Sequence, residues 1–163
     1  MIMKTNWESE LATFMNDLLE VQSETLDMLA QRRQMLASAD LDGLVGLGDH
    51  EQELVDRLQN CLARREELLD QAQQEGLASK NIKALTKSLP SDRRGNLKRQ
   101  VFEASAKARL LKKQTLVNWV ITQKTLIHLS QMLEIIATRG RGKPTYEKAD
   151  QAATGGFLVN QEV

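Results

Sequence analysis

The sequence predicts an all-α protein, an antiparallel bundle of three long helices with a short connector helix and a flexible C-terminal tail. Two observations predict this class. Apolar residues recur at alternating spacings of four and three over long stretches, which is the heptad period of packed helices. The 163 residues include only 2 prolines and 9 glycines, fewer than a turn-rich sheet protein needs. We expect residues 1–139 to form the helical bundle and residues 140–163 to form the tail.

The first predicted helix covers residues 7–36, where an apolar heptad seam begins at Trp7. Asn6 precedes this seam and belongs to a residue type that caps helix N-termini. A second apolar stripe, which includes Met15 and Leu29, widens the apolar surface beyond one seam. We therefore expect this helix to contact two neighbouring helices.

A break of small and polar residues at 37–43 separates the first helix from a second one with the same heptad period. Because this link is short, the two helices should form an antiparallel hairpin. Asp40 is placed to cap the second helix, and Gly76 is placed to end it in a left-handed conformation. Residues 80–89 predict a short connector helix that ends at Pro90.

The third predicted helix, which Ser91 and Asp92 should cap, is the longest and ends near Arg139. Its heptad seam continues through residues 97–136. A second set of apolar residues lies off that seam and nearly closes the circle around residues 116–136. One neighbouring helix cannot cover both sets, so we interpret this stretch as core and binding surface at once.

The net charge is zero overall, but it is divided unevenly along the chain. Residues 1–76 carry 16 acidic and 6 basic side chains, whereas residues 77–163 carry 6 acidic and 16 basic ones, so the two halves should attract each other. Residues 104–133 contain no acidic residue, and such a basic helix can bind a nucleic acid. The acidic helices would cancel much of its field and no nucleic-acid-binding motif accompanies it, so we expect no nucleic-acid binding.

No group of residues in the sequence has the spacing of an active site or a metal site. His50 and His128 are isolated, and residues 140–143 lack the spacing of a phosphate-binding loop. Cys61 is the single cysteine, which excludes an internal disulfide, and its place on an apolar seam indicates a buried structural thiol. We expect no enzymatic activity, no cofactor and no metal.

We also expect a cytoplasmic protein without membrane insertion. The first residues lack the continuous apolar run of a signal peptide. Every apolar stretch is interrupted by charged residues before it reaches the roughly 20 residues that a membrane-spanning helix needs.

Several features follow one another in an order that is typical of one protein family. They are a heptad helix, the small-residue break at 38–44, a second heptad helix, a connector, and a long third helix with Asn118 near its middle. The tail adds a Thr-Tyr pair at 145–146 after a glycine-rich helix stop, and a small-residue and apolar stretch at 155–158. Over nearly its whole length the chain resembles the FlgN-type flagellar export chaperones.

The resemblance implies a cytoplasmic chaperone with two kinds of partner. Its clients would be the hook-filament junction proteins FlgK and FlgL, which it would bind through their C-terminal segments and keep from assembling prematurely. It would then deliver them to FlhA, the gate of the flagellar type III export apparatus. A helix-forming client segment can add itself to a bundle that leaves an apolar stripe uncovered.

The resemblance, together with the apolar pattern of the third helix, also indicates which residues bind. The candidate client-binding residues are the apolar Leu116, Trp119, Val120 and Ile127 and the basic Lys112, Lys113 and Lys124, which would select acidic flanks on the client. The candidate contacts with the export gate are Tyr146, Phe157 and Leu158.

Three alternatives remain open from the sequence. The apolar side chains around Leu116 can be ordinary bundle core. The protein can be a structural coiled coil that forms a weak homodimer through the extra apolar face of the third helix, in which case its dimerisation depends on concentration and needs no client. It can also bind a nucleic acid or an anionic surface through its basic half, in which case binding falls steeply with salt.

Overall fold

The computed structural model describes residues 5–138, in which the regular secondary structure is entirely helical. The helices are α1 (Trp7–Ala37), α2 (Leu41–Gly46), α3 (Gly48–Gln74), α4 (Ile82–Ser88) and α5 (Leu97–Ala137), with a 3₁₀ turn at Ser91–Arg93. This order confirms the predicted all-α class with three long helices and a short connector. The chain divides into two compact units, Met1–Leu116 and Val117–Val163, and α5 contributes to both. The predicted tail, residues 140–163, lies outside the described residues.

Helix α1 begins where the sequence provides a cap. The Oδ1 atom of Asn6 accepts a hydrogen bond from the backbone N–H of Ser9 at 3.3 Å, as predicted. Glu8 and Glu10 in the first turn are acidic, which suits the positive end of the helix dipole. The apolar seam of this helix is buried along most of its length, and Leu11 is completely inaccessible to solvent.

Helices α1 and α3 form the antiparallel hairpin that the short link predicts. Three ion pairs join the two helices, namely Arg32 with Glu51, Arg57 with Glu24, and Arg64 with Glu10. Residue numbers rise along one helix as they fall along the other, so the pairs fix the antiparallel register. Leu54 of α3 is buried in an apolar cluster with three side chains of α1, namely Val21, Met28 and Leu29.

The second predicted helix is divided into α2 and α3 at Leu47. Gly46 and Gly48 flank this residue, and glycine is a poor helix former because its backbone loses the most conformational freedom on folding. Asp40 caps α2 as predicted, since its Oδ1 atom accepts a hydrogen bond from the N–H of Gly43 at 2.9 Å.

Helices α1 and α3 both end in a Schellman motif, in which one left-handed residue turns the chain back onto the last helical turn. At the end of α3, Gly76 has the predicted positive φ of 73°, and the N–H of Leu77 donates to the carbonyl of Ala72 at 2.8 Å. At the end of α1 the left-handed residue is Ala39, with φ 53°, and the next N–H donates to the carbonyl of Met35 at 2.9 Å. A residue with a Cβ atom therefore occupies a conformation that favours glycine.

Helix α4 and the first half of α5 complete the core of the first unit. Leu68 of α3, Leu85 of α4 and Leu97 of α5 belong to one buried cluster that also contains Trp7 and Leu11 of α1. The connector is thus a packed part of the core, because its apolar side chains fill space between the longer helices.

Polar contacts align α5 parallel to α1 within the first unit. The Oδ1 atom of Asn16 accepts a hydrogen bond from Gln100 at 2.7 Å, and the hydroxyl of Ser23 accepts one from Lys107 at 2.7 Å. Residue numbers rise together along the two helices. Helix α1 therefore contacts both α3 and α5, as its wide apolar surface predicts.

The start of the third long helix differs from the prediction. Ser91 lies in the 3₁₀ turn together with Asp92, and neither caps α5, which begins at Leu97. Gly95, between the turn and the helix, has a positive φ of 37°, so the chain leaves the helical path there.

Candidate protein-binding surface

The second half of α5 exposes a large number of apolar side chains. Nine large apolar residues between positions 116 and 136 are exposed, with accessible fractions of their surface from 36% for Val120 to 71% for Ile136. Isolated exposed apolar residues are ordinary, but a contiguous set on one helix is typical of a surface that binds another molecule.

The heptad seam of α5 is buried near the start of the helix and exposed near its end. In the first unit the seam residues Leu97 and Ala104 are buried, whereas Leu129 and Ile136 on the same seam are exposed. The helix lengths explain why, because α5 has 41 residues against 31 in α1 and 27 in α3. Helices of that length, packed side by side with α5, cannot cover all of it.

The four apolar residues predicted to bind a client fall within an arc of about 100° on α5, because each residue advances the helix by about 100°. Leu116, Trp119 and Val120 are exposed, and Ile127 is half-buried. We call these four residues the predicted face. The three predicted basic residues, Lys112, Lys113 and Lys124, are exposed.

A second set of exposed apolar residues was missed as a binding surface by the sequence analysis, which assigned most of it to the core seam. These residues, which we call the α5 stripe, are Leu126, Leu129, Met132, Leu133 and Ile136. They follow one another at helical spacing and cover an arc of about 120° next to the predicted face. The apolar pattern of the third predicted helix is longer than the patterns of the first two. That difference in length could have indicated that part of the third helix stays exposed.

The predicted contacts with the export gate are not in the described part of the chain. Tyr146, Phe157 and Leu158 all lie beyond residue 138, outside the described residues.

The chemistry of the described residues is that of a packed helical protein. Residues 5–138 contain no cluster of three His, Cys, Asp or Glu side chains that could hold a metal ion. The Cys61 thiol is half-buried, so the prediction of a buried thiol is met in part, and burial raises its pKa above the usual value. His50 lies 3.9 Å from Glu53 on the exposed side of α3.

None of the helices in residues 5–138 combines the length and the apolar character that crossing a bilayer requires.

The fold and this surface define a class, a helical bundle whose longest helix leaves a wide apolar surface open to a binding partner. The family model described as FlgN protein matches residues 1–154, and the chain therefore belongs to the FlgN family, a family of flagellar export chaperones. No curated protein and no solved structure matches the chain.

Proposed function

We propose that this protein is a cytoplasmic chaperone of flagellar type III export that binds the C-terminal segments of the hook-filament junction proteins FlgK and FlgL. It keeps these clients from assembling prematurely and delivers them to the export gate, FlhA. Membership of the FlgN family supports the role in export. The observation that carries the proposal is the exposure of apolar side chains along the second half of α5.

The size of this surface suits a helical client. Positions 116 to 136 span about 30 Å of helix, which is the length of about 20 residues of a second helix packed alongside. An amphipathic client helix would place its apolar side chains against the predicted face and the α5 stripe. The same side chains of the client would otherwise be exposed to water before assembly.

The charge of α5 supports selection among clients. Lys112, Lys113 and Lys124 are exposed on or near the predicted face. No acidic residue interrupts positions 104–133 to neutralise them. A client with carboxylates beside its apolar residues would therefore be attracted, and a basic one would be repelled.

Titration calorimetry with synthetic C-terminal segments of the two junction proteins tests the proposal. We expect micromolar or tighter binding, and we expect Val120→Asp to weaken it by about 30-fold or more, because a carboxylate desolvated in an apolar interface costs about 2 kcal/mol or more. Val55→Asp is the matched control. Val55 is on α3, is exposed at 41% against 36% for Val120, and receives the same charge.

The outcome also distinguishes the two sides of α5. If Leu133→Asp weakens binding and Val120→Asp does not, the client occupies the α5 stripe. If neither segment binds at any salt concentration, the chaperone proposal is wrong. A concentration-dependent dimer that Val120→Asp dissociates would then identify a structural coiled coil, and salt-sensitive binding of a nucleic acid would identify the basic-helix alternative.

The delivery step has a separate test. We expect Tyr146→Ala and the double variant Phe157→Ala/Leu158→Ala to bind the client segments normally but to bind the cytoplasmic domain of FlhA less tightly. Unchanged FlhA binding by both variants would contradict the assignment of these three residues to the gate.

A further inference from the structure

A second surface feature lies entirely within the first unit, away from the predicted face and the α5 stripe. A groove of about 350 Å³ runs between α1, α4 and α5, with the apolar side chains of Met15, Leu18, Ile82 and Val101 among those that line it. Helix α1 contributes residues 14 to 22 to its wall. That length is about 12 Å, or two turns of a helix lying alongside.

The rim of this groove is basic. Arg65 and Lys83 line it, and among residues 5–138 no acidic side chain does so. Arg57 and Arg64, on the same helix as Arg65, both form ion pairs with carboxylates of α1. Arg65 is half-buried and yet has no ion pair with any residue of the described part. A guanidinium that has no ion pair of its own is suited to receive a carboxylate from another molecule.

Gln22 joins α1 to α5 in the wall of the groove. Gln22 is 96% buried, since only 4% of its surface is exposed, and it lines the groove. Its Nε2 atom donates to the carbonyl of Ala104 at 3.1 Å, whereas its Oε1 atom has no partner within residues 5–138. That oxygen has almost no accessible surface, so Gln22 holds α1 against α5 in the groove wall and offers an occupant no open acceptor.

The wall that α5 contributes is made largely of small side chains. Ala104, Ser105 and Ala108 follow one another at helical spacing along the groove. Small side chains at a helix contact allow a second helix to approach closely, since the distance between helix axes depends on the side chains between them.

We propose that this groove is a docking site for an amphipathic helix of a partner protein, with carboxylates flanking its apolar face. The apolar face would cover Met15, Leu18 and Val101, and the carboxylates would pair with Arg65 and Lys83. This inference does not depend on the client surface of α5.

Two synthetic peptides of 18 residues, used with the full-length chain, provide the test. Both carry the same face of leucine and alanine, and they differ only in flanks of glutamate or lysine. We expect fluorescence anisotropy to show that the glutamate peptide binds at least tenfold more tightly than the lysine peptide. We expect the double variant Arg65→Glu/Lys83→Glu to reverse that preference, because it reverses the charge of the rim.

Two further variants locate the bound peptide. Ala108 is exposed, so Ala108→Trp should fold normally while its ring fills the groove and weakens binding of the glutamate peptide at least tenfold. Val120→Asp should leave that binding unchanged, even if it abolishes binding of the junction-protein segments. The two proposals therefore fail separately.

Three outcomes would overturn the inference. The first is equal binding of the two peptides, or binding of neither. The second is loss of peptide binding in Val120→Asp, which would place the peptide on α5 outside the groove. The third is a dimer of the protein that Ala108→Trp dissociates without any peptide binding, because the occupant would then be a second copy of the chain.

Discussion

The ends of α1 and α3 allow a reciprocal test of how backbone conformation limits stability. Both helices end in the same Schellman motif, but the left-handed residue is Ala39 in α1 and Gly76 in α3. We expect Ala39→Gly to raise the free energy of unfolding and Gly76→Ala to lower it. Alanine and glycine are exchanged in opposite directions. The intrinsic difference between these two residue types therefore enters the two free energies of unfolding with opposite signs and cancels in their sum.

The expected magnitude follows from two opposing terms. The left-handed conformation costs a residue with a Cβ atom about 1–2 kcal/mol, which Ala39→Gly relieves. Glycine gains conformational entropy in the unfolded chain, which offsets about 0.4–1 kcal/mol. The net gain is about 0.5–1 kcal/mol, which corresponds to a rise in Tm of about 1–4 °C for a chain of this size. Gly76→Ala should cost a similar amount, and no clash adds to it because a Cβ at Gly76 meets nothing within 4 Å.

Urea unfolding followed by circular dichroism at 222 nm measures both changes. Gly46→Ala is the matched control, because Gly46 is helical and a Cβ there also meets nothing within 4 Å. This control should stabilise the protein by about 0.5–1 kcal/mol, since alanine is the better helix former. If Ala39→Gly and Gly76→Ala shift the free energy of unfolding in the same direction, the argument from the left-handed conformation is wrong.

Two further predictions concern the hairpin of α1 and α3. Leu68→Ala should lower the free energy of unfolding by about 2–5 kcal/mol, because Leu68 is completely buried. Leu62→Ala is the control, and it should cost well under half as much because Leu62 is 54% exposed. Urea titrations of both variants measure the two changes. The hydrogen bond from Arg57 holds the pKa of Glu24 below its usual value of 4.5. The ionised Glu24 carboxylate therefore stabilises the fold above that pH, and this contribution is lost as the pH falls through the lowered pKa. Glu24→Gln should therefore reduce the loss of stability between pH 5 and strongly acidic conditions, and a pH dependence identical to that of the parent chain would contradict this.

Helix ends were largely predictable because their signals are local. The cap at Asn6 and the left-handed turn at Gly76 depend on residues within one or two turns, and both form as predicted. The cap of α5 was predicted wrongly for a related reason. Ser91 has the chemistry of a cap, but Gly95 follows it in a left-handed conformation and moves the first helical residue to Leu97.

The exposed part of α5 was less predictable because a heptad pattern shows which residues share a side of a helix and not what covers that side. Leu97 and Leu129 occupy the same seam, yet the first is buried and the second is exposed. The predicted face was proposed because its residues lie off the seam. The α5 stripe was not among the predicted binding residues, because three of its five residues, Leu129, Met132 and Ile136, continue the seam.

The groove of the first unit could not have been predicted from sequence patterns. Gln22, Arg65 and Ala108 come from three different helices, and only the packing of those helices brings them to one groove. Sequence patterns also do not show that Arg65 has no ion pair within residues 5–138, because Arg64 beside it has the same chemistry and forms two ion pairs.

The absence of acidic residues from most of α5 affects how the protein behaves when no client is bound. In a symmetric dimer whose two α5 helices ran side by side in the same direction, each lysine would lie near its own copy. Lys112, Lys113 and Lys124 would then lie near like charges, and their repulsion would oppose the apolar attraction. An acidic partner meets no such penalty. Charge repulsion thus opposes self-association through the exposed apolar surface of α5 in this arrangement, and the repulsion weakens as salt rises.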